Sequence, residues 1–274
     1  MVLLGILYFV SFPVQAYHLP KWELGVGISA LRIPAYRGAE GADNYLLPFP
    51  YVVYRGDRLR VDEEGMRGSI FKSPRLRLDF SLAGNLPVPD EGVKARTDMP
   101  ALDPLGEIGP SLDVSLWNSN AGVHQDSIEL WLRLPVRAAF SVGDPLLATR
   151  GWVFSPTLNA IYRQPAEDYV LRWNLSLGPL FATEPYHDYF YGVPVQYATA
   201  TRTEYDAESG YSGSRISLGI SMNRQHWYLG AFLRYDDLRG AVFEDSPLVE
   251  TKSYFALAVV VSRVLAVSSE NVAH

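Results

Sequence analysis

The chain contains no cysteine, which excludes a disulfide framework and any Cys-ligated metal. Lysine is scarce as well: of 24 basic residues, four are Lys and 20 are Arg. Against 30 acidic residues the formal charge is −6, the opposite of the basic surface that a nucleic-acid partner requires. After residue 16 no apolar run approaches the ~18 residues of a membrane-crossing helix. The longest is Tyr254–Val261. HExxH, GxSxG, GxxxxGK[ST] and EF-hand patterns are absent. The five histidines, at 18, 124, 187, 226 and 274, are scattered. His187 beside Asp188, and His226 near Ser221, come nearest to a hydrolase constellation, but the simpler reading is polar residues at an interface. Asp236-Asp237 and Glu244-Asp245 are acidic pairs from which no metal site follows. No cofactor is expected, and the chain reads as a non-enzyme.

What the sequence does have is alternation. From Ile128 to Phe140 every even position is apolar, while Glu129, Arg133 and Arg137 occupy odd ones. A β-strand turns successive side chains to opposite faces, so this strand has one apolar face and one charged face. It is about twice as long as the usual soluble strand of roughly 5–6 residues. Such a strand needs two solvents, and lipid outside with a wet lumen inside would supply them. The pattern recurs at 22–32, 46–55, 58–71, 74–84, 107–117, 126–141, 150–163, 168–182, 188–197, 213–222, 226–236 and 253–263. Alternating segments of about ten residues separated by turns mark a transmembrane antiparallel β-barrel, here of about 12 strands, with 10–14 compatible. A soluble sandwich or lipocalin-like barrel fits less well, because the polar faces combine Gly, Ser and Asn with charges of both signs. Segment 58–71 carries Glu63-Glu64-Gly65, which reads as either a bulge or a turn. Trp22, Tyr51, Tyr54, Trp117, Trp152, Tyr162, Tyr169, Trp227 and Tyr235 sit where strands meet turns, as interfacial aromatics do.

Residues 1–16 carry no charged side chain and end in Val14-Gln15-Ala16, the pattern of a cleavable export signal. That leaves 17–274 as a single barrel domain. Two features are its candidate sites. The first is a lattice of charges on the polar face: Glu23, Arg75, Arg77, Asp79, Asp113, Glu129, Arg133, Arg137, Arg172, Arg215 and Arg234. Buried charge is costly unless paired, so cross-strand neutralisation is expected. A lattice that fills the lumen gives a closed scaffold; one that lines a gap gives an anion-leaning pore. The second is the long connection 85–106, with Pro87, Asp90, Glu91, Lys94, Arg96, Asp98, Pro100 and Asp103 as candidate contacts. It is far longer than a hairpin needs, and is expected to contact periplasmic partners or to fold into the lumen as a plug. With 58–71 as one strand, parity puts this loop on the side of the N-terminus. With 58–71 as two, it faces the other way.

Five segments in order resemble the MipA/OmpV family of Gram-negative outer-membrane proteins. They are Leu47–Gly56, Leu102–Pro110, Tyr189–Val193, Tyr205–Tyr211, and Phe232–Tyr235 continued by Asp245–Val249. The resemblance implies export to the outer membrane, contact with its lipid, and a scaffold role joining a lytic transglycosylase to a murein synthase. Porin-like or adhesive activity is the family's other description; a rim-located lipid hydrolase, suggested only by the His187 and His226 neighbourhoods, comes third. Outer-membrane barrels usually finish on an aromatic residue, whereas here Val264–His274 follows the last expected strand. The oligomeric state is not readable.

Overall fold

The computed structural model describes residues 18–62, 65–88, 93–119, 125–143, 145 and 147–273. The proposed export signal, Asp90, Glu91 and His124 lie outside these residues. A closed antiparallel barrel runs through β2 (Trp22–Ile33), β3 (Asp43–Arg55), β4 (Leu59–Asp62), β5 (Gly65–Lys72), β6 (Leu76–Asn85), β7 (Leu105–Asn118) and β8 (Ser127–Ser141). It continues through β9 (Ala148–Phe154), β10 (Thr157–Pro165), β11 (Val170–Ala182), β12 (Gly210–Arg224), β13 (Trp227–Asp237) and β14 (Ser253–Val267). β14 closes on β2, and β9 and β10 together form one stave between β8 and β11. Pro156, which has no N–H to give the ladder, falls at the break between them. The barrel therefore has twelve staves. A small ribbon of β1 (His18–Pro20) with β15 (Asn271–Ala273) joins the two chain ends. Among the described residues no helix is long and apolar enough to cross a membrane.

The alternation decides the faces. In β8, Glu129, Trp131, Arg133, Pro135, Arg137 and Ala139 turn inward, while Ile128 and Val136 remain exposed outside. The same parity leaves Leu24, Val26, Ile28, Phe80, Leu82, Ile108, Leu175, Ile216, Leu257 and Val259 exposed on the outer wall. So much exposed hydrocarbon on one surface calls for a lipid solvent. Trp117 and Trp227 mark one end of the outer wall, and Trp152 and Phe255 mark the other. Tyr51 departs from the interfacial expectation: it opposes Gly25 on the inner face, its ring 5.6 Å from that of Tyr228.

Two strand expectations are corrected, and their errors offset in the count. Segment 58–71 is two strands, because β4 pairs antiparallel with β5 from Leu59–Gly68 to Asp62–Gly65. Segment 188–197 is not a strand. It falls within helix α1 (Glu184–Tyr191) and a 3-10 turn at Val195–Tyr197. Pro185 in the first turn, and Gly192 at the C-cap where a Cβ would meet the Asp188 carbonyl at 2.7 Å, favour a short helix over the extended form suggested by Tyr189-Phe190-Tyr191. With 58–71 split, the connection 86–104 emerges at the end of the barrel opposite both chain ends. Loops 34–42, 183–209 and 238–252 emerge there too, whereas turns such as 56–58, 73–75 and 225–226 lie at the other end.

Candidate functional site: a capped, charge-lined lumen

The long loops fold on one another. Tyr36, Ala39, Val88, Leu102, Leu105, Phe190, Tyr191, Ala207, Leu238, Ala241 and Phe243 form one buried cluster with Ala139 of β8. At its centre the Tyr191 and Phe243 rings stack at 3.7 Å between centroids, and His187 meets Phe243 edge-on at 4.8 Å. Burial of this apolar area holds the loops as a cap across the barrel mouth. Several polar groups inside the cap are matched to backbone carbonyls. Tyr36 donates to the Leu248 carbonyl at 2.7 Å, Tyr191 to the Arg37 carbonyl at 2.9 Å, and Ser246 to the Tyr191 carbonyl at 2.7 Å.

His187 is fully buried, with Nδ1 2.6 Å from the Glu208 carbonyl and Nε2 2.6 Å from Ser212 Oγ. A carbonyl only accepts, so Nδ1 carries the proton and Ser212 donates to Nε2. Burial pushes the imidazole pKa down, against the Glu208 hydrogen bond, and nearby Arg37 lowers it further. The His–Ser pair resembles half of a hydrolytic site, but Ser212 is itself buried. His226 is exposed in a turn.

Ion pairs and hydrogen bonds tie the cap to the wall. Asp236 of β13, with 0% exposure, receives Arg37 from the cap at 3.1 Å, Arg215 from β12 at 2.9 Å and Arg234 at 2.8 Å. Glu107 of β7 accepts from Arg137 at 2.8 Å and from Tyr186 of α1 at 3.1 Å, so one carboxylate joins strand to helix. Arg137 also reaches Ser81 and Ser155. Connection 86–104 is held by its own members: Arg96 donates to the carbonyls of Phe190 and Pro100, and the Asp103 carbonyl accepts from Tyr189. Lys94 and Arg96 lie in a 3-10 turn, and Asp98 adopts a positive φ of 65°. Pro100 is exposed, as is Pro87.

Further down the lumen, Glu23 pairs with Arg55 at 2.7 Å, and Asp113 with Arg133 at 3.4 Å. Glu129 accepts from the Trp131 indole at 2.8 Å, and the Arg77 guanidinium lies 3.9 Å over the Trp131 ring. Asp79 and Arg172 are buried on inward positions. Arg75 departs from the expected lattice. The turn bond from Ser73 N–H to the Leu76 carbonyl delays the strand to Leu76, leaving Arg75 exposed in the turn. The sequence reading missed Arg37, Arg55, Glu107 and Asp236 as lattice members. Glu107 and Asp236 share the inward parity of their strands and could have been found by it; Arg37 comes from a loop and could not. Mid-barrel, a cavity of about 320 Å³ is lined by Arg133, Asn159, Arg172, Asn174 and Ser176 on one side. Tyr228, Phe232, Ala258 and Val260 line the other.

The family described as MltA-interacting protein MipA matches residues 26–265. The chain belongs to the MipA family. It is an outer-membrane β-barrel protein, and the match takes in all but the ends of the chain. No curated protein matches it. Among solved structures it is similar to a bacterial polysaccharide outer membrane secretin, with 8% identity and a TM-score of 0.43, covering 89% of this chain and 99% of that one. A Pseudomonas aeruginosa FadL homologue follows at 11% identity and TM-score 0.29, covering 79% and 60% of the two chains. The Pseudomonas putida toluene transporter TodX gives 12% and 0.25, covering 90% and 68%. These likenesses are those of distant barrels and say nothing of cargo.

Proposed function

We propose that this MipA-family protein is a closed, non-enzymatic barrel that serves as a structural scaffold for murein-synthesising and murein-cleaving enzymes. The observation that carries the closed barrel is the cap, whose buried Tyr191–Phe243 core fills the mouth where a channel would open. The name MltA-interacting protein supports the murein partners. Barrels of this class carry short turns on the periplasmic side and longer loops outside. On that rule the chain ends and turns 56–58 and 73–75 face the periplasm, where a murein enzyme would dock. Connection 85–106, with Pro87, Lys94, Arg96, Asp98, Pro100 and Asp103, then serves the cap as part of a plug. The lumen charges lock staves together in this reading.

Immobilised, refolded full-length protein should capture a lytic transglycosylase and a murein synthase from envelope extract. Capture should survive deletion of 87–103 and be lost when the turns at 56–58 and 73–75 are replaced by Gly-Ser. Failure to capture either enzyme contradicts the scaffold role.

A further inference from the structure

Among the described residues, the closed ring of strands leaves part of the wall unpaired beneath the cap. β4 pairs with β3 only at Tyr54–Val61 and Arg55–Arg60, although β3 runs from Asp43. On the far side of the same hairpin, β5 pairs with β6 only as far as Phe80, and 81–85 pair with β7 alone. β3 and β6 are not paired to each other. Above the hairpin tip at Asp62–Gly65, the edges of β3 and β6 therefore bound a window in the wall.

The sequence of β3 suits an open edge. Arg55 N–H donates to the Lys21 carbonyl, so odd-numbered amides of β3 face β2 and even-numbered ones face the window. Pro48 and Pro50 occupy even positions there, opposite Ile28 and Val26. Neither has an N–H to leave unsatisfied toward lipid, and both discourage addition of another strand. The window thus stays a gap and is not a pairing template.

Its lining differs from the rest of the lumen. Leu47, Phe49 and Tyr51 point inward from β3, where a stave such as β8 presents Glu129, Arg133 and Arg137. Gly27 is what lets Phe49 lie flat, since a Cβ there would meet the ring at 2.5 Å. Tyr51 continues to Tyr228, and Tyr228 to the cavity wall of Phe232, Ala258 and Val260. Phe232 faces inward yet is 40% exposed. An apolar strip therefore leads from the window to a cavity whose opposite wall holds Arg133 and Arg172, the charged residues of its lining.

We infer that this window and cavity form a lateral binding path for a single-chain amphiphile with an anionic head, its chain along Phe49–Tyr51–Phe232 and its carboxylate facing Arg133 and Arg172. The cavity is at the small end of the ~300–1,000 Å³ typical of ligand sites, as one chain requires. The path stands or falls apart from the scaffold role, because it opens sideways beneath an intact cap.

The absence of cysteine makes single-thiol variants clean. Full-length Leu47→Cys in phosphatidylcholine vesicles should react with a water-soluble maleimide, and dodecanoate at ten times its Kd should slow the reaction roughly tenfold. Dodecyltrimethylammonium should not slow it, and Thr201→Cys on the exposed cap should be unaffected by either. Adding Phe232→Glu to Leu47→Cys should abolish protection by dodecanoate, judged against the double variant's own rate without amphiphile. No slowing, equal slowing by the cationic amphiphile, equal slowing at Thr201→Cys, or a thiol at 47 that never reacts would each overturn the inference.

Discussion

Arg37, in a loop of the cap, donates from Nε to Asp236 of β13 at 3.1 Å, and Asp236 is wholly buried. One carboxylate thereby holds a loop residue to the wall while also serving Arg215 and Arg234. Asp236→Ala would leave three guanidinium groups around an uncompensated site. Breaking a buried ion cluster from one side costs about 3–5 kcal/mol. The cap should detach before the barrel melts. Hydrogen exchange should show early loss of protection at 184–191 and 238–249, with β12 to β14 still protected.

Phe243→Ala removes the partner of the Tyr191 ring from a fully buried position. Truncations of this kind cost about 3–5 kcal/mol. Limited proteolysis should cut 238–252 in the variant and spare it in the parent. The heat-modifiable electrophoretic shift of the folded barrel should be unchanged.

Alternation made most of the wall legible, because a stave between lipid and a polar lumen has no freedom over which parity is apolar. β8 was readable residue by residue for that reason. The hairpin that pairs Asp62 with Gly65 was not, since the sequence Glu63-Glu64-Gly65 suits a bulge and a turn alike. Helix α1 was misread because Tyr189-Phe190-Tyr191 suits a strand by composition, and the competing signals were single residues, Pro185 and Gly192. The cap was hidden for a different reason. Its core joins Tyr36, Val88, Phe190, Leu238 and Phe243 from four loops, and no local period links residues so far apart in sequence. Arg37 was lost with it, while Asp236 reads in the sequence only as half of an acidic pair with Asp237.

His187 makes the cap sensitive to acid. Its pKa is lowered in the fold by burial, while in an unfolded cap it would return to ~6.5. Above that value both states are neutral and the full stability is present. As pH falls below it, the unfolded cap takes up a proton that the folded cap resists, and stability is lost down to the folded pKa. Tyr186, Tyr191, Phe243 and Arg37 surround the ring and offer no carboxylate to offset the charge. Protection factors of α1, taken relative to the intrinsic base-catalysed exchange rate at each pH, should fall between pH 7 and 5 in the parent. His187→Gln should flatten that dependence, at a lower starting stability.

The closed mouth is tested most directly by planar-bilayer conductance of the refolded full-length protein. A mouth sealed by the Tyr191–Phe243 core predicts no discrete conductance steps, and their appearance when residues 87–103, which carry Val88 and Leu102 of that core, are deleted. Clear, regular steps from the intact protein would contradict it.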